Sequence, residues 1–315
     1  MTRVIHNVDV SVVIAAWNSA DFIKTAIFSA LNQVDINVEV IVVDDLSTDN
    51  TISVVEAIND PRITLIKNKS NTGPGGARNL GFDSANGTWI AVLDSDDEML
   101  PDRLSKLLSL KGEATDIILD NFYVRNNKGD ILTPYYSKKE LPLGPFSLQY
   151  LINTNLIFSK VKSTGYLKPL FKSSFVKKHS IRYWPEVRVG EDYYFLASCL
   201  AESATAEVVP YIGYIYNVRG GSISSVLSLQ HIQTLLSSDG KFNQMYNLDT
   251  FSIDAQVTRN KNLLRAYKYL EIVGLLKEHK LLKALIYSIL FPKSSFLLHL
   301  PILKRLNLFR RGYNG

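Results

Sequence analysis

The sequence of 315 residues contains only one cysteine, Cys199, and five histidines. A single cysteine excludes an intrachain disulfide and a zinc site built from cysteines, and it fits a reducing compartment. The histidines lack the spacing of metal ligands. No uninterrupted apolar stretch approaches the roughly 20 residues of a transmembrane helix, so none is predicted. Residues 1–9 are polar and the apolar run after them is short, which predicts no signal peptide.

Acidic residues are scarce at the C-terminal end of the chain. Residues 261–315 carry eleven Lys or Arg but only two Glu, whereas the rest of the chain carries 24 basic and 28 acidic residues. The net charge of +5 therefore combines a basic tail with a slightly acidic body. Such a tail favours a polyanion or an anionic membrane as its partner, and a nucleic-acid-binding body is not indicated.

Strand and helix signals alternate over the first 120 residues. Apolar runs rich in β-branched residues predict strands at residues 10–15, 38–43, 63–66, 88–93 and 117–119. Helices are predicted at residues 19–32, 48–58 and 76–84. Continuous apolar strands with helices between them are typical of a parallel sheet that is covered on both faces, so the sequence predicts an α/β fold.

The pattern changes after this region. Residues 126–147 predict an exposed loop or a hairpin, and helical signals dominate from residue 146 to about residue 200. Two more strands are predicted at residues 206–209 and 211–216, and residues 262–308 are mostly helical and basic. The sequence therefore predicts an α/β body followed by a helical, basic extension.

An apolar strand over residues 89–93 ends in three carboxylates, Asp94, Asp96 and Asp97, here called the acidic cluster. Ligands of α/β proteins bind at strand ends. Carboxylates this close repel one another unless a positive charge lies among them, and Mg²⁺ is usually held by one or two carboxylates with substrate phosphate oxygens. The cluster therefore predicts a divalent cation with a phosphate-bearing ligand. The alternative is a solvated acidic turn before a helix that starts near Pro101.

Small and polar residues end the other predicted strands. The first strand is followed by Trp17 and Asn18, and the second by Asp45. Because the carboxyl ends of parallel strands share one edge of a sheet, these residues and the acidic cluster are expected in one crevice. A planar base fits against Ala15 and Trp17, with Asp45 accepting a hydrogen bond from a ring N–H group.

A glycine-rich segment, residues 73–79, leads into the third predicted helix. Glycine lets the backbone approach a ligand closely, and Arg78 can hold a phosphate or fix the loop. An ordinary turn is the alternative. Together with the strand ends, this segment predicts a nucleotide site in the first half of the α/β body.

These motifs resemble those of the family 2 glycosyltransferases, which have the GT-A fold. The matching segments are residues 10–18, 43–51, 73–81, 88–97 and 190–195, the last reading Gly-Glu-Asp-Tyr-Tyr-Phe. The resemblance covers roughly residues 8–225. It implies a mixed sheet flanked by helices, with a catalytic domain over residues 1–225 and a helical extension over residues 226–315. Within that domain, residues 1–120 would bind the nucleotide and residues 121–225 the acceptor.

The resemblance also implies roles for individual residues. Asp45 would contact the nucleotide base, and Asp96 would bind Mg²⁺ or Mn²⁺ on the diphosphate, with Asp94 near the ribose or the water shell of the metal. Glu191 and Asp192 would form the Glu-Asp pair of the family, with Asp192 as the catalytic base. From the residues alone, this pair also fits a helix N-terminus rich in acids, which the helix dipole favours.

Arg219 lies in a segment with two glycines and several serines, residues 214–224. In relatives such segments close over the diphosphate, and the alternative here is a strand followed by a mobile turn. The predicted nucleotide-sugar-binding residues are Ala15, Trp17, Asn18, Asp45, Arg78, Asp94, Ser95 and Arg219.

The mechanism implied by the resemblance is a single displacement. Asp192 takes a proton from an acceptor hydroxyl while the oxygen attacks the anomeric carbon, and a nucleoside diphosphate leaves. Attack opposite the leaving group inverts the anomeric centre. Processive family members carry a Gln-x-x-Arg-Trp motif, which is absent around Trp17, Trp89 and Trp184. A non-processive enzyme that adds one sugar is therefore favoured.

Within the family, the chain is most similar to exopolysaccharide glucosyltransferases of the succinoglycan type. This similarity implies UDP-glucose as the donor and a lipid-linked oligosaccharide as the acceptor. Residues 275–311 combine Leu, Ile and Phe with Lys and Arg, which favours an interfacial helix pair on an anionic membrane. The alternative is an amphipathic helix packed on the catalytic domain. We therefore expect a protein attached peripherally to the cytoplasmic face of the membrane.

Two other functions fit an α/β body of this kind. A nucleotidyltransferase that makes nucleotide-sugars would need a basic triphosphate-binding loop near the N-terminus, and residues 17–23 contain no Lys or Arg. A non-catalytic scaffold of a glycan-assembly complex would not need the intact Asp96 and Asp192.

Overall fold

The computed structural model describes residues 8–125, 132–218 and 227–299. The chain divides into two compact units. Unit 1 comprises Met1–Leu148 and Gly165–Gly220, and unit 2 comprises Gln149–Thr164 and Gly221–Gly315. The division into a catalytic domain and an extension at residue 225 stays a prediction about function. Residues 149–164, which the sequence assigns to the catalytic part, belong to unit 2.

Unit 1 is built on one ten-stranded sheet. Its strands are β1 (Val10–Ala16), β2 (Val38–Asp44), β3 (Ile63–Lys67), β4 (Trp89–Val92), β5 (Glu98–Met99), β6 (Ile117–Arg125), β7 (Leu132–Pro134), β8 (Gly144–Pro145), β9 (Lys168–Lys172) and β10 (Ala206–Asn217). The strand order is β3-β2-β1-β4-β9-β6-β10-β5, with β7 paired to β6 and β8 to β10. Strands β3, β2, β1 and β4 are parallel, whereas β9 runs antiparallel to both of its neighbours. This mixed sheet confirms the predicted α/β fold class.

The described residues also form α-helices in both units. They are α1 (Ile23–Leu31), α2 (Thr51–Glu56), α3 (Gly73–Ser84), α4 (Arg103–Leu110), α5 (Leu148–Thr154), α6 (Ser173–Lys178), α7 (Glu191–Ala201), α8 (Leu229–Met245), α9 (Thr250–Lys277), α10 (Leu281–Leu290) and α11 (Pro292–Ser295). The first two predicted helices are confirmed, although both begin a few residues later than predicted.

The core of unit 1 follows from the apolar strands. Val12, Val13 and Ile14 of β1 are fully buried although successive residues of a strand point to opposite faces. Both faces of the sheet are therefore covered, as near-continuous apolar strands require. Helix α1 adds Ile23 and Ile27, which lie on one side of the helix and are also fully buried.

Strand β9 lies where the sequence predicts mainly helix, so the prediction is wrong over these five residues. The strand reads Lys-Pro-Leu-Phe-Lys, which is a short pattern containing a proline. Leu170 and Phe171 are buried because β4 and β6 pair with β9 on either side. These neighbours are distant in sequence, so tertiary contacts rather than local preference decide the strand.

Three further elements differ in extent from their predictions. Helix α3 begins at Gly73, so the glycine-rich segment forms its first turn instead of a loop before it. Strand β6 continues to Arg125, beyond the predicted end at residue 119. The two strands predicted between residues 206 and 216 are one strand, β10, interrupted by register shifts. The antiparallel pairing of β6 with β7 agrees with the predicted hairpin.

Unit 2 is helical, as predicted for the C-terminal part of the chain. Ile232 of α8 packs with Leu263 and Ala266 of α9. Arg259 of α9 forms a buried ion pair with Asp239 of α8, with a nitrogen to oxygen distance of 2.9 Å. This paired charge gives α8 and α9 a defined register.

The last part of the predicted basic helix pair, residues 300–311, lies outside the described residues. Within residues 8–125, 132–218 and 227–299, no single helix is long and apolar enough to cross a membrane. Two consecutive helical segments, Leu281–Leu290 and Pro292–Leu298, are together long and apolar enough to cross a membrane. The chain bends by 114° between them.

Candidate active site

The ends of β1, β2 and β4 meet at one edge of the sheet. The N–H of Asp45, which follows β2, donates to the carbonyl of Ala16 in β1 at 2.8 Å. The hydroxyls of Ser19 and Ser95 lie 2.8 Å apart and join the loops after β1 and β4. The structure thus brings together the strand ends that carry the predicted nucleotide-binding residues.

Trp17 and Ala15 remain accessible at this edge. Trp17 is 50% exposed, and Ala15 is half-buried. Asn18 adopts a left-handed backbone conformation, with φ of 49°. Its Oδ1 accepts hydrogen bonds from the N–H of Thr48 at 2.8 Å and from the Thr48 hydroxyl at 3.2 Å. Asn18 therefore ties the loop after β1 to the loop after β2 and leaves an exposed indole beside them.

Asp45 is buried and anchors the start of α3. Its Oδ1 accepts from the N–H of Thr72 and from Nδ2 of Asn68, both at 2.9 Å, and its Oδ2 accepts from the N–H of Gly73 at 2.8 Å. The first N–H groups of a helix lack partners within the helix, so an anion there is favourable. This anchoring role was not predicted. The contact of Asp45 with a nucleotide base stays a prediction.

Two glycines of α3 serve close packing. A Cβ on Gly81 would lie 2.3 Å from Cγ1 of Val13 in β1, and a Cβ on Gly76 would lie 2.4 Å from Cβ of Thr72. Neither position has room for a side chain. Gly81 therefore lets α3 pack closely on β1, which places Arg78 at the sheet edge, and Gly76 leaves room for the side chain of Thr72.

Arg78 is buried and contacts three carboxylates at once. One guanidinium nitrogen, Nη2, donates to Oδ1 of Asp94 at 2.7 Å. The other, Nη1, donates to Oε1 of Glu191 at 2.8 Å and to Oδ1 of Asp192 at 2.9 Å. The predicted acidic cluster and the predicted Glu-Asp pair therefore lie in one site, although more than 90 residues separate them in sequence.

Lys168 of β9, whose side chain is 16% exposed, is a second cation of the site, and no sequence pattern predicts its place there. Its Nζ lies 3.2 Å from Oδ2 of Asp94 and 4.0 Å from Oδ2 of Asp97. It also lies 4.6 Å from the ring centre of Tyr214 and 5.6 Å from that of Tyr216, within reach of cation–π attraction. Lys168 reaches the site because it lies on β9, a strand that the sequence does not predict.

The two cations change the electrostatics of the acidic cluster. Burial alone would raise the pKa of Asp94, but Lys168 and Arg78 hold that pKa well below its usual range. Burial would lower the pKa of Lys168, and the charges of Asp94 and Asp97 raise it instead. From sequence, a divalent cation is expected to supply the neutralising charge. In the structure, the protein itself supplies two positive charges beside Asp94.

Asp97 turns away from the strand edge into the protein. Its Oδ2 accepts from the Tyr214 hydroxyl at 2.8 Å, and its Oδ1 accepts from the N–H of Asn217 at 2.8 Å. Burial raises its pKa to about 8, and repulsion by Asp94 and Asp96 acts in the same direction. Asp97 therefore connects the acidic cluster to β10 and is less suited to be a metal ligand.

Asp96 is half-buried at the same edge, and its backbone carbonyl accepts from Nδ2 of Asn217 at 2.6 Å. Across the described parts of the chain, no group of three or more His, Cys, Asp or Glu could hold a metal. Mg²⁺ commonly takes one or two carboxylates and completes its shell with substrate phosphates and water. The donor set fits a metal shared with a diphosphate, with Asp96 as the protein ligand, and does not fit an all-protein metal site.

Glu191 and Asp192 form the first turn of α7, after Gly190 with φ of 84°. Burial and the neighbouring Asp192 raise the pKa of Glu191 to about 7. The Asp192 side chain is 45% exposed, against 12% for Glu191. Asp192 also interacts with the buried Tyr183 hydroxyl, and this hydrogen bond contributes to the raised pKa of Tyr183. Of the two acids, Asp192 is the more accessible to solvent.

Arg219 and the glycine-serine segment after it lie outside the described residues. The contact of Arg219 with the diphosphate stays a prediction. Tyr214 and Asn217 stand at the described end of β10, and both contact the acidic cluster. Both lie in the segment 214–224 that the family resemblance links to the diphosphate, although neither was predicted individually as a site residue.

Residues 11–175, more than half of the chain, match the model of glycosyl transferase family 2. Succinoglycan biosynthesis protein ExoO of Rhizobium meliloti (strain 1021) is 42% identical over 299 residues, which cover 95% of this chain and 86% of that protein. The chain belongs to glycosyl transferase family 2. It is therefore a glycosyltransferase, and the resemblance noted in the sequence motifs is confirmed.

Two further proteins place this family 2 glycosyltransferase among its relatives. UDP-Glc:alpha-D-GlcNAc-diphosphoundecaprenol beta-1,3-glucosyltransferase WfaP of Escherichia coli is 32% identical over 218 residues, covering 69% of this chain and 80% of that protein. The crystal structure of S. aureus TarS 1-349 superposes with a TM-score of 0.63 at 20% identity, covering 82% of this chain and 72% of that one. A crystal of the same TarS fragment with UDP-GlcNAc gives a TM-score of 0.61. The likeness to TarS confirms the predicted GT-A fold.

Proposed function

We propose that this glycosyltransferase is an inverting, metal-dependent, non-processive enzyme. It would transfer one sugar, glucose from UDP-glucose, to a lipid-linked oligosaccharide in exopolysaccharide or surface-polysaccharide biosynthesis. The observation that carries the proposal is the contact of Arg78 with both Asp94 and Asp192. This contact puts the nucleotide edge of the sheet and the candidate base in one crevice. The identity with ExoO supports the pathway, and the name of WfaP supports the donor and the acceptor.

The donor would bind along the edge formed by β1, β2 and β4. The exposed indole of Trp17, beside Ala15, offers a face for a planar base. Asp45 lies directly after β2, next to the end of β1. Asp94 and Ser95 would lie by the ribose, and Arg219 by the diphosphate. The UDP-GlcNAc complex of the structurally similar TarS supports a UDP-sugar as the donor.

A divalent metal would be held by Asp96 together with the donor phosphates. Transferases of this fold commonly use divalent metals. Mg²⁺ or Mn²⁺ would supply charge neutralisation on the diphosphate. The protein prepares the site by pairing Asp94 with Arg78 and Lys168, which removes one carboxylate from competition for the metal.

Asp192 would act as the general base. It accepts the proton of an acceptor hydroxyl while that oxygen forms a bond to the anomeric carbon. The bond from that carbon to the diphosphate oxygen breaks, and its electron pair leaves with UDP. Attack opposite the leaving group converts an α-linked donor into a β-glycoside. A positioned general base contributes about 10²–10⁴-fold to such a step. Arg78 orients Asp192, because their atoms lie 2.9 Å apart.

A lipid-linked acceptor would place the enzyme peripherally at the cytoplasmic face of the membrane. The basic C-terminal part of the chain supports this location, because the inner leaflet is rich in anionic lipid. Nucleic acid is not among the proposed partners.

The proposal is tested by measuring UDP release from a panel of UDP- and GDP-sugars with Mn²⁺. Wild type is compared with Asp96→Ala and Asp192→Asn, and with Glu56→Gln as an acidic control on an exposed surface pair. We expect slow, metal-dependent UDP release from one sugar by wild type and by the control, and its loss in Asp96→Ala. Absence of release with every donor, together with absence of metal-dependent UDP binding, would instead support a scaffold without catalysis.

A further inference from the structure

We propose that α10 attaches the protein to the surface of an anionic membrane through one apolar side, here called the α10 face. The inference deepens the membrane location given above and rests on it. The α10 face consists of Leu281, Leu282, Leu285, Ile286, Ile289 and Leu290. Each of these side chains is exposed, from 47% for Ile286 to 72% for Leu282.

The spacing of these residues makes them a single surface. They recur at i, i+1, i+4, i+5, i+8 and i+9, which is one side of an α-helix. Other positions of α10 lie toward α9. Ala284 is buried, and the Nζ of Lys268 in α9 lies 5.9 Å from the ring centre of Tyr287. The helix is thus held by α9 on one side, while its more apolar side is left in contact with water.

Lysines flank the α10 face. Lys277 and Lys280 precede the helix, Lys283 lies within it, and Lys293 follows it, with Glu278 as the acidic residue among them. Positive charge beside an apolar surface fits a membrane of anionic lipid, since lysines near the surface contact headgroups while apolar side chains enter the acyl boundary. A second copy of this chain fits less well, because it would bring the same lysines together.

The length of α10 restricts how it meets the membrane. Ten residues of helix measure about 15 Å, half of the roughly 30 Å hydrocarbon core of a bilayer. The chain then bends by 114° into Pro292–Leu298. A short amphipathic helix followed by a sharp bend lies in the plane of the interface and does not cross it.

The test is flotation of the full-length protein with vesicles of phosphatidylcholine alone or mixed with phosphatidylglycerol. Wild type should float with the anionic vesicles and lose most of this binding in high salt. Leu282→Glu combined with Ile289→Glu should reduce binding by about tenfold or more. Val161→Glu combined with Leu110→Glu, which replaces two exposed apolar residues elsewhere, should bind like wild type. Lys280→Glu with Lys283→Glu should lose the preference for anionic lipid.

Two outcomes would overturn the inference. One is equal vesicle binding by wild type and by the Leu282/Ile289 variant. The other is a result in which no form of the protein binds vesicles, while light scattering without lipid shows a dimer for wild type and a monomer for the Leu282/Ile289 variant. UDP release in solution separates this inference from the proposed function. The α10 variant should release UDP at the wild-type rate, and vesicle binding by a protein that releases no UDP would leave the inference standing while the proposed function fails.

Discussion

Nζ of Lys168 lies 3.2 Å from Oδ2 of Asp94, on the carboxylate oxygen opposite the one that Arg78 contacts. The two cations come from different elements, β9 and α3. Together they keep Asp94 ionised although its side chain is only 27% exposed, so the carboxylate is fixed in charge and orientation before any ligand arrives. A preorganised charge of this kind acts without reorganisation during the reaction.

Lys168→Met should destabilise unit 1. The change leaves Asp97 without its nearby cation and leaves Asp94 with the contact from Arg78, and removing one partner of a buried ion pair costs up to about 3–5 kcal/mol. We expect a decrease of that order in the free energy of unfolding, measured by urea denaturation. Lys172→Met, on the same strand, removes a half-exposed lysine at 3.7 Å from Asp116 and should cost less than about 1 kcal/mol. An equal decrease in the free energy of unfolding for the two variants would show that the ion pairs of Lys168 stabilise the protein no more than the ion pair of Lys172.

Arg78→Lys should lower the rate of UDP release strongly while keeping the charge. A lysine ammonium cannot reach three carboxylates in the fork geometry that arginine provides. A misplaced base costs about 10²-fold in rate, so we expect a loss of that size. Arg182→Lys is the matched control, because Arg182 makes an exposed two-point contact with Asp83. Unchanged UDP release by Arg78→Lys would exclude Arg78 as the residue that orients Asp192.

Asp97→Asn should flatten the pH dependence of stability. The pKa of Asp97 is raised from 3.8 to about 8 in the folded protein, so between these values the folded state binds more protons than the unfolded chain. The free energy of unfolding therefore falls as pH rises through this range, by at most about 1.4 kcal/mol per pH unit for one group. Urea denaturation at several pH values should show a shallower fall for the variant. The pKa of Glu191 is also raised, to about 7, so Glu191 likewise makes the free energy of unfolding fall as pH rises. Part of the pH dependence should therefore remain in Asp97→Asn.

The control for this pH effect is Asp60→Asn. Contact with Arg62 lowers the pKa of Asp60, so its contribution to stability is present above the ordinary pKa and is lost only in acid. Its replacement should leave the slope above about pH 5 unchanged. A slope in Asp97→Asn as steep as that of wild type would mean that Asp97 is ionised in the folded protein.

Gly81→Ala should destabilise unit 1, since a Cβ would lie 2.3 Å from Val13. Overpacking of this kind costs about 1–3 kcal/mol. Gly274→Ala should have the opposite effect. Gly274 lies inside α9, and a Cβ added there would have nothing within 4 Å. There alanine should stabilise the helix by about 0.5–1 kcal/mol. Thermal denaturation of the two variants measures both effects, and a neutral Gly81→Ala would show that α3 can shift away from β1.

Much of the nucleotide half could be predicted from sequence. Strands β1, β2 and β4 are almost continuously apolar, and this local pattern is enough to place Trp17, Asp45 and Asp94 at one edge. Asp192 could be found only by its family motif, because an acid at a helix N-terminus is common for structural reasons.

The rest of the site depends on contacts that no local pattern reveals. Lys168 sits on a five-residue strand with a proline, and β4 and β6 decide its position. Likewise, the bridge from Arg78 to Asp192 joins residues far apart in the chain. Repulsion among the carboxylates predicts a metal from sequence, but Arg78 and Lys168 also lie beside Asp94, and neither is near the acidic cluster in sequence.

The placement of β9 between β4 and β6 also governs the order in which the sheet can assemble during synthesis. Strands β1 to β4 leave the ribosome first and can pair with one another, and β6 follows. Until β9 (Lys168–Lys172) emerges, the facing edges of β4 and β6 have no strand to join them. The nascent chain therefore carries an open edge at what becomes the centre of its sheet, where chaperones would bind and where pairing between unfinished chains would start.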